Sequence, residues 1–226
     1  MDKNTTVEST TGGQPGRREG NRVQAKKSAE TRRAIVDAAI RCIVKYGYAN
    51  TTTPRIAEEA NLSRGAMVHH FSNRLTVIQS AIAHLHQKRI KAFRRAGSKL
   101  PPVGKNRVHD ALIAYWEQVK NPLFIAFHEL TVAARTDKNL ADILIPARRA
   151  FHEEWYRVAV EQFPEWQDDS DRFSIALHLT QNVLEGMGIN RLSKDLDEET
   201  ADKLLAYLED ELRALSPPTR LQGTRK

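Results

Sequence analysis

The stretch TTTPRIAEEANLSRGAMVHHF, from Thr51 to Phe71, predicts two short helices joined by a tight turn. Thr52 is a good N-cap for the first helix, and Pro54 falls in its first turn, where a missing N–H costs little. Asn61 tolerates the left-handed backbone conformation that ends a helix, and Ser63 stands where it can cap the second. This pattern is typical of a helix-turn-helix, whose second helix enters the major groove of DNA.

A longer amphipathic helix is predicted before this hairpin, over about Ser28 to Tyr46, with Gly47 as its C-terminal cap. Residues 30–71 together resemble the N-terminal domain of the TetR family of bacterial transcriptional regulators. The matching motifs are T-R-x-x-I-x-x-A-A from Thr31, Y-G-Y from Tyr46, T-T at Thr51, I-A-x-x-A from Ile56, L-S-R-G from Leu62 and H-F at His70. The clear resemblance covers about 50 of 226 residues, and the rest is similar to the family only in helical layout.

The resemblance implies that the hairpin binds double-stranded DNA. The residues expected to contact DNA are Thr52, Thr53, Arg55, Ser63, Arg64, Gly65, Ala66, Val68, His69, His70 and Arg74. Arg64 is either a bidentate base contact or a phosphate contact without sequence information. Gly65 lets the backbone approach the DNA closely. We expect His69 and His70 to reach the groove or a phosphate, and for one of them the alternative is packing on the first helix.

The second helix departs from the family at Ala66-Met67-Val68, where members often carry Thr-Leu-Tyr. The threonine hydroxyl and the tyrosine phenol, both usual phosphate contacts in the family, are therefore missing here. We expect phosphate contacts to come from elsewhere, and Val68 is suited to contact a thymine methyl group.

Charge is distributed unevenly along the chain. Residues 1–96 carry 18 Lys and Arg against 7 Asp and Glu, whereas residues 97–226 carry 17 against 21. A basic first part is what DNA binding requires, although solvated lysine-rich faces are common. Residues 1–27 are polar and lack an apolar period, so we predict a disordered basic tail. This tail either contacts phosphates or the minor groove, or has no role.

Beyond the hairpin every segment predicts helix, so the expected fold is all-α with about nine helices. A linking helix is predicted over 74–95, and Pro101-Pro102 lies in the loop after it. Later helices are expected over about 107–120, 122–136, 140–162, 171–190 and 198–215, with Pro146 kinking or splitting the third of these. The predicted domains are a DNA-binding domain over 28–73 and a regulatory and dimerisation domain over 74–216, followed by a tail over 217–226.

Bulky aromatic residues in the second domain are candidates for a pocket that holds a small, largely apolar effector. They are Tyr115, Trp116, Phe124, Phe127, His128, Phe151, Trp155 and Phe173. Plain core is the alternative for these residues, and the family resemblance implies a pocket without identifying its ligand.

Small residues and leucines near the C-terminus suggest a homodimeric four-helix interface, as in the family. The candidates are Gly186, Gly188, Leu204, Leu208 and Leu212. Packing within one chain is the alternative for the leucines. A dimer is favoured because two recognition helices on a palindromic operator multiply the affinity of one.

Other classes of function find little support in the sequence. One cysteine, Cys42, excludes an intrachain disulfide framework and fits a reducing cytoplasm. No apolar run suits a membrane span, and we expect no metal, cofactor or catalytic residue, because no nucleophile–base set or metal-ligand spacing occurs. The expected function is a ligand-responsive repressor; the alternatives are an all-helical enzyme and a protein-interaction adaptor with a basic first part.

Overall fold

The computed structural model describes residues 15–102 and 106–217, with side chains from residue 21 onward. Within these residues the chain is all-α, with nine α-helices, one 3-10 turn and no strand, as predicted. The helices are α1 Pro15–Asn50, α2 Thr53–Glu59, α3 Arg64–His70, α4 Arg74–Gly97, α5 Arg107–Val119, α6 Pro122–Ala133, α7 Lys138–Gln162, α8 Ser170–Leu192 and α9 Glu198–Leu215. The 3-10 turn, Pro164–Trp166, lies between α7 and α8. No helix in these ranges is both long enough and apolar enough to cross a membrane.

Short-range capping sets the bounds of the hairpin helices as the sequence predicts. The Thr52 hydroxyl accepts a hydrogen bond from the Arg55 N–H, and the Ser63 hydroxyl accepts one from the Ala66 N–H at 3.1 Å. Asn61 has a φ of 55°, which is the left-handed conformation that reverses the chain between α2 and α3. Asn73 caps α4 by accepting the Thr76 N–H at 3.0 Å.

Helix α1 is longer than predicted at both ends. It begins at Pro15, so the prediction of disorder is wrong for residues 15–27, while residues 1–14 lie outside the described residues. Extending a formed helix adds one hydrogen bond per residue without a new nucleus, and Ala, Gln, Lys and Arg in this segment are good helix formers. Gly47 interrupts α1 with a φ of 75°, but one more turn follows to Asn50 instead of an end at Tyr46. Pro146, by contrast, lies inside α7 without splitting it.

Buried apolar side chains form two clusters. The first core packs α1, α2, α3 and the first half of α4 against α6 and the start of α7; Ile35, Met67 and Phe127 belong to it. The second core joins α5, the end of α7, α8 and α9, with Trp116 and Leu208 among its members. Helix α4 contributes to both cores, and side chains of α6 and α7 complete the first. The first core therefore extends across the predicted boundary at residue 73.

The end of α1 is tied to the helices behind it by polar contacts. The Tyr48 hydroxyl donates to Asp137 at 2.9 Å, and the Tyr48 N–H donates to the Glu129 carboxylate at 3.2 Å. These bonds join the helix-turn-helix region to α6 and to the start of α7.

Candidate nucleic-acid interface and effector cavity

Helix α3 has a narrow exposed face, and its other face is anchored in the first core by a buried side chain. Met67 is fully buried in the first core, whereas Arg64, Gly65, Val68 and His69 are exposed. A Cβ on Gly65 would meet nothing closer than the Ser63 hydroxyl at 4.0 Å, so this part of the helix is open to a close neighbour. Within the described residues, Arg64 makes no hydrogen bond or ion pair that would hold its guanidinium group back from DNA.

The other predicted DNA contacts surround this face. Ala66, His70 and Thr53 are half-buried, and Thr52 and Ser63 are exposed caps whose hydroxyl protons remain available to an acceptor such as a phosphate oxygen.

Arg55 is exposed but partly anchored. One of its guanidinium nitrogens donates to the Asn50 carbonyl at 2.9 Å, and the group lies 5.0 Å from the centre of the Tyr46 ring. Its remaining N–H groups stay available for a phosphate.

Arg74 is positioned for a structural role, which corrects its prediction as a phosphate contact. Its Nε donates to the Thr51 carbonyl and its Nη2 to the Tyr48 carbonyl, both at 2.6 Å. The guanidinium group also lies 4.1 Å from the centre of the Tyr48 ring. These contacts turn the charged group inward, toward the turn that follows Gly47.

A cavity of about 1100 Å³ lies among α5, the end of α7, the 3-10 turn, α8 and the end of α9. Aromatic rings form much of its wall: Phe93, Tyr115, Trp155, Phe163, Trp166 and Phe173. Tyr115, Trp155 and Phe173 are the predicted pocket residues that line it. Phe93, Phe163 and Trp166 were missed, although each is an aromatic residue close to a helix end.

Charged groups at this cavity are largely engaged with the protein. The Arg107 Nε donates to the Glu165 carboxylate at 3.0 Å, while its other nitrogens donate to the carbonyls of Pro101 and Gln162. Arg213 pairs with Glu209 on the preceding turn of α9. The aromatic wall is therefore the main surface on which a ligand can gain free energy of binding.

Five predicted pocket residues lie elsewhere. Trp116 and Phe124 belong to the second core, and Phe124 packs edge-on against His128 with ring centres 4.1 Å apart. Phe127 and Phe151 enclose the Arg89 guanidinium group, at 4.0 Å and 4.6 Å from their ring centres. The prediction that these residues line the pocket is thus wrong, because their side chains pack in the second core or around Arg89 instead.

A polar cluster forms around Arg89 between the two cores. Arg89 lies 3.5 Å from the Glu185 carboxylate on α8, and the His86 ring lies 4.9 Å from Phe151. Burial, and then the Arg89 charge, lowers the pKa of both His86 and His128 to about 4. Both imidazoles are therefore neutral at pH 7. The ion pair between Arg89 and Glu185 connects the linking helix α4 to α8.

Only part of the predicted dimer surface is exposed. A Cβ on Gly188 would lie 2.4 Å from Val119 and 2.7 Å from Phe124, so this glycine allows close packing within one chain. Leu208 and Leu212 are buried in the second core. The prediction of an interface role is wrong for these three residues, because α5 and α6 already cover that side of α8 and α9.

Other positions on α8 and α9 are open and apolar. A Cβ on Gly186 would meet nothing within 4 Å, and Leu204 is 39% exposed. Further large apolar side chains are exposed on the same two helices: Ile175, Ile189, Leu192 and Tyr207.

Comparisons with known proteins agree with this arrangement. Residues 35–80 match the family model of bacterial regulatory proteins of the tetR family. An HTH-type transcriptional regulator of Mycobacterium tuberculosis is 25% identical over 195 residues, which cover 83% of this chain and 97% of the relative. The HTH-type transcriptional regulator TtgR of Pseudomonas putida is 33% identical over 113 residues, 49% of this chain and 48% of TtgR.

A solved structure shares the fold along nearly its whole length. The crystal structure of the multidrug binding protein EbrR, complexed with imidazole, superimposes with a TM-score of 0.54 at 20% identity, covering 84% of this chain and 97% of EbrR. The family-model match assigns residues 35–80 to a DNA-binding domain of the tetR family, and the near full-length mycobacterial relative and the shared fold extend the likeness to the rest of the chain.

Proposed function

We propose that the protein is a homodimeric repressor that binds a palindromic operator through α3 and releases it when a small, largely apolar effector binds. The observation that carries the proposal is the exposed face of α3, where Arg64, Gly65, Val68 and His69 stand on a buried support. A rigid, solvent-facing helix with an unengaged arginine suits direct contact with base edges in the major groove.

The cavity supports the effector part of the proposal. Its volume of about 1100 Å³ suits a drug-sized molecule, and its aromatic wall favours flat, apolar compounds. EbrR, described as a multidrug binding protein, shares the fold. We therefore propose that Tyr115, Trp155, Phe93 and Phe173 bind the effector of this chain.

Helix α4 supplies the proposed coupling between cavity and DNA. Its first half belongs to the first core, and Phe93 near its end lines the cavity. An effector that displaces Phe93 moves the helix whose first residue, Arg74, holds the end of α1. The coupling free energy cannot exceed the difference in effector affinity between the two states, typically about 1–3 kcal/mol.

The exposed apolar side chains of α8 and α9 support the homodimer. An open glycine next to large apolar side chains suits a close helix-to-helix contact across a two-fold axis. We propose that Gly186 and Leu204 lie in this interface, together with Ile189 and Tyr207. In functional terms residues 28–73 would bind DNA and residues 74–216 would bind the effector and the second chain.

Selection of duplexes from a random-sequence library tests the DNA part directly. Purified protein should enrich a palindrome with half-sites one or two helical turns apart, and sedimentation should give a dimer in solution. An effector would then be a compound that both raises the thermal stability of the protein and releases the selected duplex. Enrichment of no sequence over the starting library would refute the repressor proposal.

A further inference from the structure

The first turns of α1 project from the rest of the protein. All ten residues from 21 to 30 are exposed, and the first buried residue of the helix is Ile35. At about 1.5 Å per residue, this segment is a helix about 15 Å long with no apolar contact to hold it. Packing therefore does not explain its sequence.

The projecting segment is strongly basic. Residues 21–34 contain Arg22, Lys26, Lys27, Arg32 and Arg33 but a single acidic residue, Glu30. Spacings of four and seven residues place Arg22, Lys26 and Arg33 on one side of the helix. None of these three has an ion-pair partner among the described residues, so their charges are free to meet an external anion.

The base of the projecting segment contacts the end of the recognition helix α3. The Arg32 guanidinium group donates to the His70 carbonyl at the C-terminal end of α3. It also lies 4.1 Å from the centre of the Phe71 ring. These contacts fix the base of the projecting helix beside the end of α3, so the segment leaves the helix-turn-helix next to the proposed DNA surface.

The helical conformation decides how the segment can meet DNA. The minor groove is about 6 Å wide, whereas an α-helix with its side chains is about 10–12 Å across, so the helix cannot enter it. A flexible arm of the same composition would be able to do so. The remaining partner of matching charge is the sugar–phosphate backbone.

We propose that residues 21–33 form a second DNA-contact element, a basic helix that binds phosphates beside the groove occupied by α3. This inference rests on the proposed DNA binding by α3 and extends it. Phosphate contacts position a protein without carrying sequence information, so the element adds affinity and footprint length but no base preference.

Variants of the full chain in which basic residues are replaced by Ala test the proposal. The triple variant R22A/K26A/R33A removes three charges from the basic side and keeps good helix formers, and K91A/R95A/K99A removes three exposed charges near the far end of α4 as a matched control. Each protein is titrated by fluorescence anisotropy onto a random-sequence duplex of about 40 bp over a range of salt concentrations. The triple variant should reduce the magnitude of the negative slope of log K against log salt by about 2.7, for three lost phosphate contacts, and weaken binding at least tenfold at ~0.1 M salt. The control should bind as the parent does.

Duplexes of A·T pairs only and of G·C pairs only separate the helix from a flexible arm. A phosphate-binding helix predicts the same parent-to-variant affinity ratio on both duplexes, whereas a minor-groove arm predicts a larger ratio on A·T pairs. A larger A·T ratio, an unchanged salt slope, or an equal loss in the control overturns the proposal. So does unchanged DNA binding with lost binding to phosphatidylserine vesicles, which would assign the helix to a membrane. If the parent itself binds no duplex, the proposed function fails as well.

Discussion

Arg74 and Tyr48 join the linking helix α4 to the end of α1. The Arg74 guanidinium group lies 4.1 Å from the centre of the Tyr48 ring and donates to the Tyr48 carbonyl at 2.6 Å. A second donor reaches the Thr51 carbonyl, and Thr51 is fully buried. One side chain thereby donates to two backbone carbonyls where the start of α4 meets the turn before the recognition hairpin.

Replacing Arg74 by Ala should lower the free energy of unfolding by about 2–3 kcal/mol, because two carbonyls lose a charged donor. Urea denaturation measures this loss. Arg55→Ala is the matched control, since Arg55 is exposed and makes one hydrogen bond to a backbone carbonyl. Equal stabilities of the two variants would contradict the structural role of Arg74.

Replacing Arg64 by Ala should leave the unfolding midpoint unchanged and weaken operator binding by about 1–3 kcal/mol, if the side chain pairs with a base. Its exposed position without a partner in the protein is the reason. Anisotropy titrations with the selected operator and with single-base variants measure both affinity and preference. A uniform loss across all sequences would make Arg64 a phosphate contact instead.

Replacing Gly188 or Gly186 on α8 by Leu should have opposite effects on the stability of the single chain. Gly188→Leu forces a side chain into Val119 and Phe124 and should destabilise the single chain by at least about 1–3 kcal/mol. Gly186→Leu meets open space and gains helix propensity, so it should keep or raise chain stability while weakening the dimer. Thermal unfolding and sedimentation at low concentration separate the two effects. An intact dimer in the Gly186 variant would move the interface off this side of α8.

Trp155→Ala enlarges the cavity and should change the affinity for an apolar ligand without changing DNA binding in its absence. N-phenyl-1-naphthylamine, a neutral fluorescent compound, is a suitable probe. Trp116→Ala removes an equally large buried side chain that does not line the cavity, so it controls for general destabilisation of about 3–5 kcal/mol. The same loss of probe binding in both variants would assign Trp155 to plain core.

Lowering the pH should decrease the free energy of unfolding because of His86 and His128. Each has a pKa of about 4 in the folded state, below the ordinary 6.5, because burial and then the Arg89 charge oppose protonation. The unfolded chain takes up a proton on each ring below pH ~6.5, whereas the folded chain does so only near pH 4, so stability falls across this window. At pH ~5 the loss should be about 1–2 kcal/mol for each histidine.

Urea denaturation at neutral pH and at pH ~5 measures this dependence. His86→Phe and His128→Phe should each reduce the difference between the two conditions, because the ring that the folded state keeps neutral is gone. His69→Phe changes an exposed histidine on α3 and should leave the difference in place. An undiminished pH dependence in both buried-site variants would refute the assignment.

The sequence by itself determined the helix-turn-helix and the helical layout. Capping by Thr52, Ser63 and Asn73, the left-handed Asn61 and the period of the apolar residues act over three or four residues. Interactions of that range involve only residues that are close together in the sequence. Nearly every helix after α1 was therefore predicted close to its observed bounds.

Only the tertiary structure decided which face of each helix is covered. Gly188 was assigned to the wrong surface because its neighbours, Val119 and Phe124, lie more than 60 residues away in the chain. Phe127 and Phe151 were predicted to line the pocket but enclose Arg89, and Arg74 was predicted to face DNA but holds Tyr48. An aromatic or charged side chain at helical spacing has the same local pattern in a core, a cavity wall or an interface. Its role follows from the helix that packs against it, and that contact is set by the free energy of burying whole faces, not by any neighbour in sequence.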